Sequence, residues 1–212
     1  MKKLKIANAE YIDLTCLNPI ATIKDINEIC EKASYINCAT VCIPSFYLKT
    51  MKKFYPQLKF CTVIDFPFGN KSTDEKIMEA ITAIRNGADE IDMVMNLQAF
   101  ASGYYCSMQK EINEVKKVIS NRILKVIIET CYWNKETIQF ITELIDKSDA
   151  DFIKTSTGFG KYGATFEDVK VIKEAIKYGT KIKASGGIRT AKEVQEYIDL
   201  GCDRIGISQL PK

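Results

Sequence analysis

Apolar residues along this chain follow two rhythms in alternation. Short β-branched runs read as strands, and each is followed by a turn and then by apolar positions three and four residues apart, the mark of a helix with one buried face. Eight runs fit the first description, at residues 11–15, 38–43, 60–65, 90–95, 124–129, 152–155, 181–185 and 204–207. Helical patterns lie between most of them. Ser72-Thr73-Asp74-Glu75 is a capping box ahead of Ile77, Ala80, Ile81 and Ile84 on one face, with Gly87 as the stop. Met108, Ile112, Val115 and Ile119 mark the next helix, and Asn134 caps one that carries Ile138, Ile141 and Ile145. Thr165 opens a helix with Val169, Ile172 and Ile176 inward and Gly179 at its end. Thr190 opens the last, with Val194 and Ile198 inward and Gly201 closing it.

Strands that alternate with helices imply a parallel sheet with right-handed crossovers. Eight such units favour an α/β fold closed into a (β/α)8, or TIM, barrel over an open sheet. No Pro/Gly/Ser-rich linker divides the chain, so residues 1–212 are expected to form a single domain. Only five residues follow Ile207, so the last helix should be shortened or missing. The segment ahead of Tyr11 is expected to cover part of that gap.

Composition narrows the chemistry. Hydrophobic residues make up 46% and charged residues 27%, the balance of an ordinary soluble globule. The net charge of +3 is spread along the chain rather than gathered into a stripe, which argues against nucleic-acid binding. The basic N-terminus lacks the apolar stretch of a secretory signal and no run approaches membrane-spanning length, so no membrane association is expected and the cytoplasm is the default. There are eight cysteines and no histidines. No C-x-x-C pair occurs, so the cysteines read as buried reduced thiols and no metal site is expected. Without histidine, any catalysis falls to carboxylates, amines, hydroxyls or backbone.

Three charged residues then stand out, because each interrupts a buried strand: Asp92, Lys154 and Lys183. Such groups are costly to bury and usually have a partner or a task. Strand side chains alternate between faces, and the spacing lets all three point into one barrel lumen, with Ile91, Met93, Ile153, Ile182 and Ala184 facing the helices. Lys154 and Lys183 fall on neighbouring strands, about 4.8 Å apart. Two ammonium groups that close repel, which favours an uncharged, nucleophilic amine at one of them, with Asp92 as proton carrier. The competing reading is that these are salt-bridged core residues. Thr155-Ser156-Thr157-Gly158, Gly186-Gly187 and Gly206-Ile207-Ser208 end three successive strands, where backbone N–H groups and hydroxyls can cradle a phosphate.

At these segments the chain resembles the deoxyribose-phosphate aldolase family. The shared stretches run from Ile12-Asp13-Leu14-Thr15 through Phe66-Pro67-Phe68-Gly69 and Gly87-Ala88-Asp89-Glu90-Ile91-Asp92-Met93-Val94 to Leu124-Lys125-Val126-Ile127-Ile128-Glu129-Thr130. They continue with Phe152-Ile153-Lys154-Thr155-Ser156-Thr157-Gly158-Phe159, Lys183-Ala184-Ser185-Gly186-Gly187-Ile188 and Arg204-Ile205-Gly206-x-Ser208. The resemblance implies reversible cleavage of 2-deoxy-D-ribose 5-phosphate to D-glyceraldehyde 3-phosphate and acetaldehyde through a lysine Schiff base, without cofactor or metal, in what such relatives suggest is a homodimer. It implies Lys154 as the Schiff-base lysine, Asp92 as the proton shuttle and Lys183 as the second lysine. It places Thr157, Gly158, Gly186, Gly187 and Ser208 around the sugar phosphate, with Asp13 and Thr15 on the first strand and Cys42 near the pocket. Gln209 stands where the family commonly has a second serine, which removes one hydroxyl, and Asp65 stands where a small residue is common. Two alternatives remain at this level: another Schiff-base barrel aldolase with a different aldehyde or phosphate, and a non-catalytic barrel that binds sugar phosphates.

Overall fold

The structure is a computed structural model that describes residues 8–210. Eight parallel strands close into a barrel in sequence order: β1 (Ile12–Thr15), β2 (Thr40–Cys42), β3 (Phe60–Ile64), β4 (Glu90–Val94), β5 (Ile123–Ile127), β6 (Phe152–Lys154), β7 (Lys181–Ser185) and β8 (Arg204–Ile207). β8 pairs back onto β1, with Asp13 opposite Gly206. The helices are α1 (Ile23–Ile36), α2 (Ser45–Phe54), α3 (Thr73–Arg85), α4 (Leu97–Ala101), α5 (Tyr105–Ile119), α6 (Lys135–Ile145), α7 (Phe166–Ala175) and α8 (Ala191–Asp199). This is the (β/α)8 barrel the alternation implies. Residues 208–210, after β8, are not helical, and the segment expected to cover that gap lies mostly outside the described residues.

The parity of each strand divides its side chains between two environments. Ile12, Leu14, Val41, Ile43, Ile91, Met93, Ile153, Ile182, Ala184, Ile205 and Ile207 join the helix residues in one apolar cluster between barrel and helical shell. The opposite face of the same strands carries Asp13, Cys42, Cys61, Asp92, Lys125, Lys154 and Lys183, all buried as well. A parallel strand buried on both faces normally reads as a continuous apolar run. Here much of the inner face is polar, with Val94, Ile127 and Phe152 among the charges, and the contact of the strands with the helices supplies the hydrophobic core.

Several ends differ from the sequence expectation, each for a local reason. β3 stops before Asp65 and β5 stops before Glu129, whose φ values of 46° and 50° turn the chain out of extended geometry. α7 ends at Ala175 rather than running toward Gly179. The Asp146 carboxylate collects the N–H groups of Lys177, Tyr178 and Thr180 at 2.6, 2.8 and 3.1 Å, which holds that segment in a turn. The capping box at Ser72 forms as expected, with Glu75 reaching back to the Ser72 N–H. The buried face of α3 is nevertheless Lys76, Ala80 and Ala83, while Ile77, Ile81 and Ile84 are only half-buried. Lys76 reaches between α3 and α5, donating to Glu111 at 2.6 Å and to the Val94 carbonyl at 3.0 Å, and lies 3.2 Å from Asp65. Asp65, whose choice the sequence leaves unexplained, thereby answers a buried cation and also accepts from the Lys71 N–H at 2.9 Å.

Candidate active site

Sheet register assembles the polar lumen. Lys154 and Lys183 are direct partners across β6 and β7, and Asp92 faces Lys125 across β4 and β5. Asp92 is the hub. Its Oδ2 accepts from Lys154 Nζ at 2.8 Å and Lys183 Nζ at 2.7 Å, and its Oδ1 accepts from Lys125 Nζ at 2.9 Å. Burial alone would raise the Asp92 carboxyl, but Lys125, Lys154 and Lys183 hold it well below the usual carboxylate range. The two ammonium groups expected to repel across neighbouring strands are therefore bridged by one carboxylate oxygen. Burial opposes the charge on Lys183, yet Asp13 and Asp92 outweigh it and raise the ammonium above its ordinary value.

Below Asp92 lies a second tier that sequence reasoning passed over. Lys125 pairs with Glu90 at 2.5 Å, and Arg204 donates to Asp13 Oδ1 at 2.6 Å and lies 3.4 Å from Glu90. Thr40 Oγ1 donates to the same Asp13 oxygen at 2.7 Å. Lys125, Glu90 and Arg204 satisfy the rule that singled out Asp92: each is charged, and each alternates with apolar outward residues along its strand. Asp13, expected around the substrate, sits in this tier instead. Its carboxylate is taken up by Lys183 at 2.5 Å, Arg204 and Thr40, so it supports the amines from beneath.

Above Asp92 the lumen opens. A cavity of about 240 Å³ has Lys154 in its wall together with Thr15, Thr157, Gly158, Gly186, Gly187 and Ser208. The five residues expected around the phosphate, and Thr15 of the first strand, thus share one cavity with the candidate nucleophile. Lys154 is 3% exposed and Lys183 is fully buried, so only the first meets the cavity. Thr157 lines the wall, but its N–H and its hydroxyl both go to the Glu129 carboxylate, the N–H at 3.2 Å. Thr157 is in this way a fixed part of the loop. Burial pushes the Glu129 carboxyl up, against the pull of its Thr157 hydrogen bonds.

The loops after β6 and β7 meet backbone to backbone. The Ala164 N–H donates to the Ser185 and Gly186 carbonyls at 3.0 and 3.2 Å. A Cβ at Gly163 would lie 2.2 Å from the Gly186 oxygen, closer than any side chain tolerates. Gly186 has φ 87°, a left-handed conformation that glycine adopts without cost. The two anion-type loops are therefore one packed unit.

Cys42 and Cys61 are register partners across β2 and β3, with both thiols fully buried in the lumen. The Cys61 thiol donates to Asp92 Oδ1 at 3.1 Å. The two stand nineteen positions apart in sequence, so spacing gave no sign of the pairing that the sheet creates.

The chain has clear counterparts among known proteins. A family model described as DeoC/LacD family aldolase matches residues 8–206. The chain is 43% identical over 206 residues to the deoxyribose-phosphate aldolase of Clostridium botulinum strain Alaska E43, covering 95% of this chain and 93% of that protein. It is 46% identical over 203 residues to the deoxyribose-phosphate aldolase of Treponema denticola, covering 94% of each. Among solved structures, the one described as "QR15, an Aldolase" superposes with a TM-score of 0.92 at 39% identity, covering 96% of this chain and 92% of that one. An eight-stranded barrel with its lumen built in this way, matched over nearly its whole length, belongs to the DeoC/LacD aldolase family.

Proposed function

We propose that this protein is a deoxyribose-phosphate aldolase that cleaves 2-deoxy-D-ribose 5-phosphate through an imine on Lys154. The observation that carries the reading is the position of Lys154, which meets the cavity while its amine touches Asp92, itself shared with Lys183. Family membership and relatives of that name support the substrate.

The unprotonated Lys154 amine adds to the C1 aldehyde of the open-chain sugar. Asp92 passes a proton to the carbinolamine oxygen as water leaves, and the C1 iminium becomes the electron sink. The C2–C3 bond breaks as the C3 hydroxyl gives up its proton, releasing D-glyceraldehyde 3-phosphate and leaving an enamine of acetaldehyde. Protonation at C2 and hydrolysis free acetaldehyde and the lysine. Lys183 and Lys125 keep Asp92 ionised between transfers, so it acts as a relay that empties readily. The backbone of Gly158, Gly186 and Gly187 and the Ser208 hydroxyl offer donors for the phosphate about the cavity, which would fix C1 near Lys154.

Borohydride added with deoxyribose 5-phosphate should leave a stable adduct on Lys154, found by peptide mass spectrometry. A coupled assay should show triose phosphate release, and Lys154→Ala should show neither. An adduct on a different lysine, or turnover retained in the variant, would overturn the assignment.

A further inference from the structure

The mouth of the barrel holds a second cavity that the aldol chemistry leaves unused. The first, with Lys154 and the glycine loops, takes its walls from the ends of β1, β6, β7 and β8. The second, of about 470 Å³, lies at the ends of β1, β2 and β3, among Pro44, Phe46, Val63, Phe66 and Pro67. None of the residues that line it is charged. Val63 shares its strand face with Cys61, opposite Phe60 and Ile64 of the apolar cluster, so this cavity rests on the inner wall of the barrel. A polar and an apolar compartment thus stand side by side, with Leu17, Asn18 and Phe159 common to both linings.

Phe159 belongs to the loop after β6, yet its ring meets Phe66 of the loop after β3 edge-on, with centroids 5.4 Å apart and planes at 89°. Those strands stand three places apart in a ring of eight, so the contact spans the mouth. The backbone is pinned as well. The Phe159 N–H donates to Thr157 Oγ1 at 3.0 Å, and Glu129 holds Thr157 in turn. We infer that Phe159 is a specificity-determining residue, whose ring closes the apolar compartment off from Lys154 and keeps the acceptor to aldehydes that fit the phosphate cradle. Without that ring, an aldehyde with its carbonyl at Lys154 would have room to lay an alkyl or aryl chain against Val63 and Phe66. The reaction is the reverse of the proposed cleavage. The enamine carbon of acetaldehyde bonds to the acceptor's carbonyl carbon, whose oxygen gains a proton. Water then hydrolyses the iminium, releasing a 3-hydroxyaldehyde and the lysine, and nothing is oxidised or reduced.

The consequence for turnover rests on the imine reading above, but the partition itself does not. With acetaldehyde as donor, the ratio of kcat/KM for 3-phenylpropanal to that for D-glyceraldehyde 3-phosphate should be low in the parent. In Phe159→Ala it should rise about tenfold or more, the scale on which small changes in an apolar pocket act. Phe159 is half-exposed, so the substitution leaves the core intact. Adding Val63→Phe, which fills the second compartment, should reverse the gain. Calorimetric titration of 3-phenylpropan-1-ol, which has no aldehyde, reads binding apart from chemistry. Phe159→Ala should bind it about tenfold more tightly than the parent. A parent that prefers the apolar acceptor, an unchanged ratio, or equal affinity for the alcohol in both proteins would overturn the partition. Failure of borohydride trapping, with the alcohol still bound more tightly by the variant, would sink the imine reading and leave the partition standing.

Discussion

Lys76 and Lys154 are both shut away from water among carboxylates, yet their surroundings differ. Lys76 is surrounded on every side: Glu111, Asp65 and the Val94 carbonyl lie within 3.2 Å of its amine, which ties the β3–α3 loop to α5. Lys154 has a single carboxylate contact at 2.8 Å, and that carboxylate is already shared with Lys125 and Lys183. It also forms part of the cavity wall, which Lys76 does not. A buried lysine alone therefore says little about chemistry. What separates the two is unspent hydrogen-bonding capacity beside open space, and the substitutions below test whether that difference has the expected consequences.

The largest effect falls on Lys154→Leu. Loss of the nucleophile should lower kcat/KM by roughly 10⁴-fold or more, while circular dichroism and the urea midpoint stay near those of the parent. Asp92 keeps two amines in that variant, so no carboxylate is stranded. Asp92→Asn should cost about 10³-fold in kcat, within the range for a lost proton carrier, with KM less affected. Lys76→Met reverses the pattern. It strands Asp65 and Glu111 and should cost about 3 kcal/mol in urea unfolding, with kcat/KM of the folded protein within a few fold of the parent. Equal damage to turnover and stability in both lysine variants would erase the contrast.

Acid separates the clusters again. The Asp92 and Asp13 carboxyls are held below their unfolded value near 3.9, so the stability they supply is complete above that pH and is lost as pH falls below it. Glu111 is shifted the other way, upward through burial against the pull of Lys76, so protonation relieves rather than strains its site. Urea melts between pH 5 and pH 2 should show a loss of about 2 kcal/mol or more, which Asp92→Asn reduces by removing one of the depressed carboxyls. The smallest effect is at Glu129. Glu129→Gln weakens its hold on Thr157 and should raise KM about tenfold, with little change in kcat.

Much of this was legible before any coordinates. Side-chain alternation alone placed Asp92, Lys154 and Lys183 on the inner face, and hydroxyl and glycine clusters marked the loops that line the cavity. The α3 face was misjudged, because a pattern search scores isoleucine as core and lysine as solvent. Lys76 is buried because Asp65 and Glu111 come from other elements, and one-dimensional periodicity does not contain them. The Cys42–Cys61 pairing was hidden for the same reason, since it depends on register between strands. Lys125, Glu90 and Arg204 were visible by the same alternation rule that singled out Asp92 and were passed over. Asp13 was read as a substrate contact because proximity in a motif does not distinguish wall from foundation.

The seam between Gly163 and Gly186 has a consequence for how an anion would be held. With the two loops locked against each other before any ligand arrives, the entropy of ordering them is met during folding, and binding need not supply it again. Even one methyl group at position 163 would act as a wedge, converting a rigid cradle into two loose arms that each encounter must gather anew.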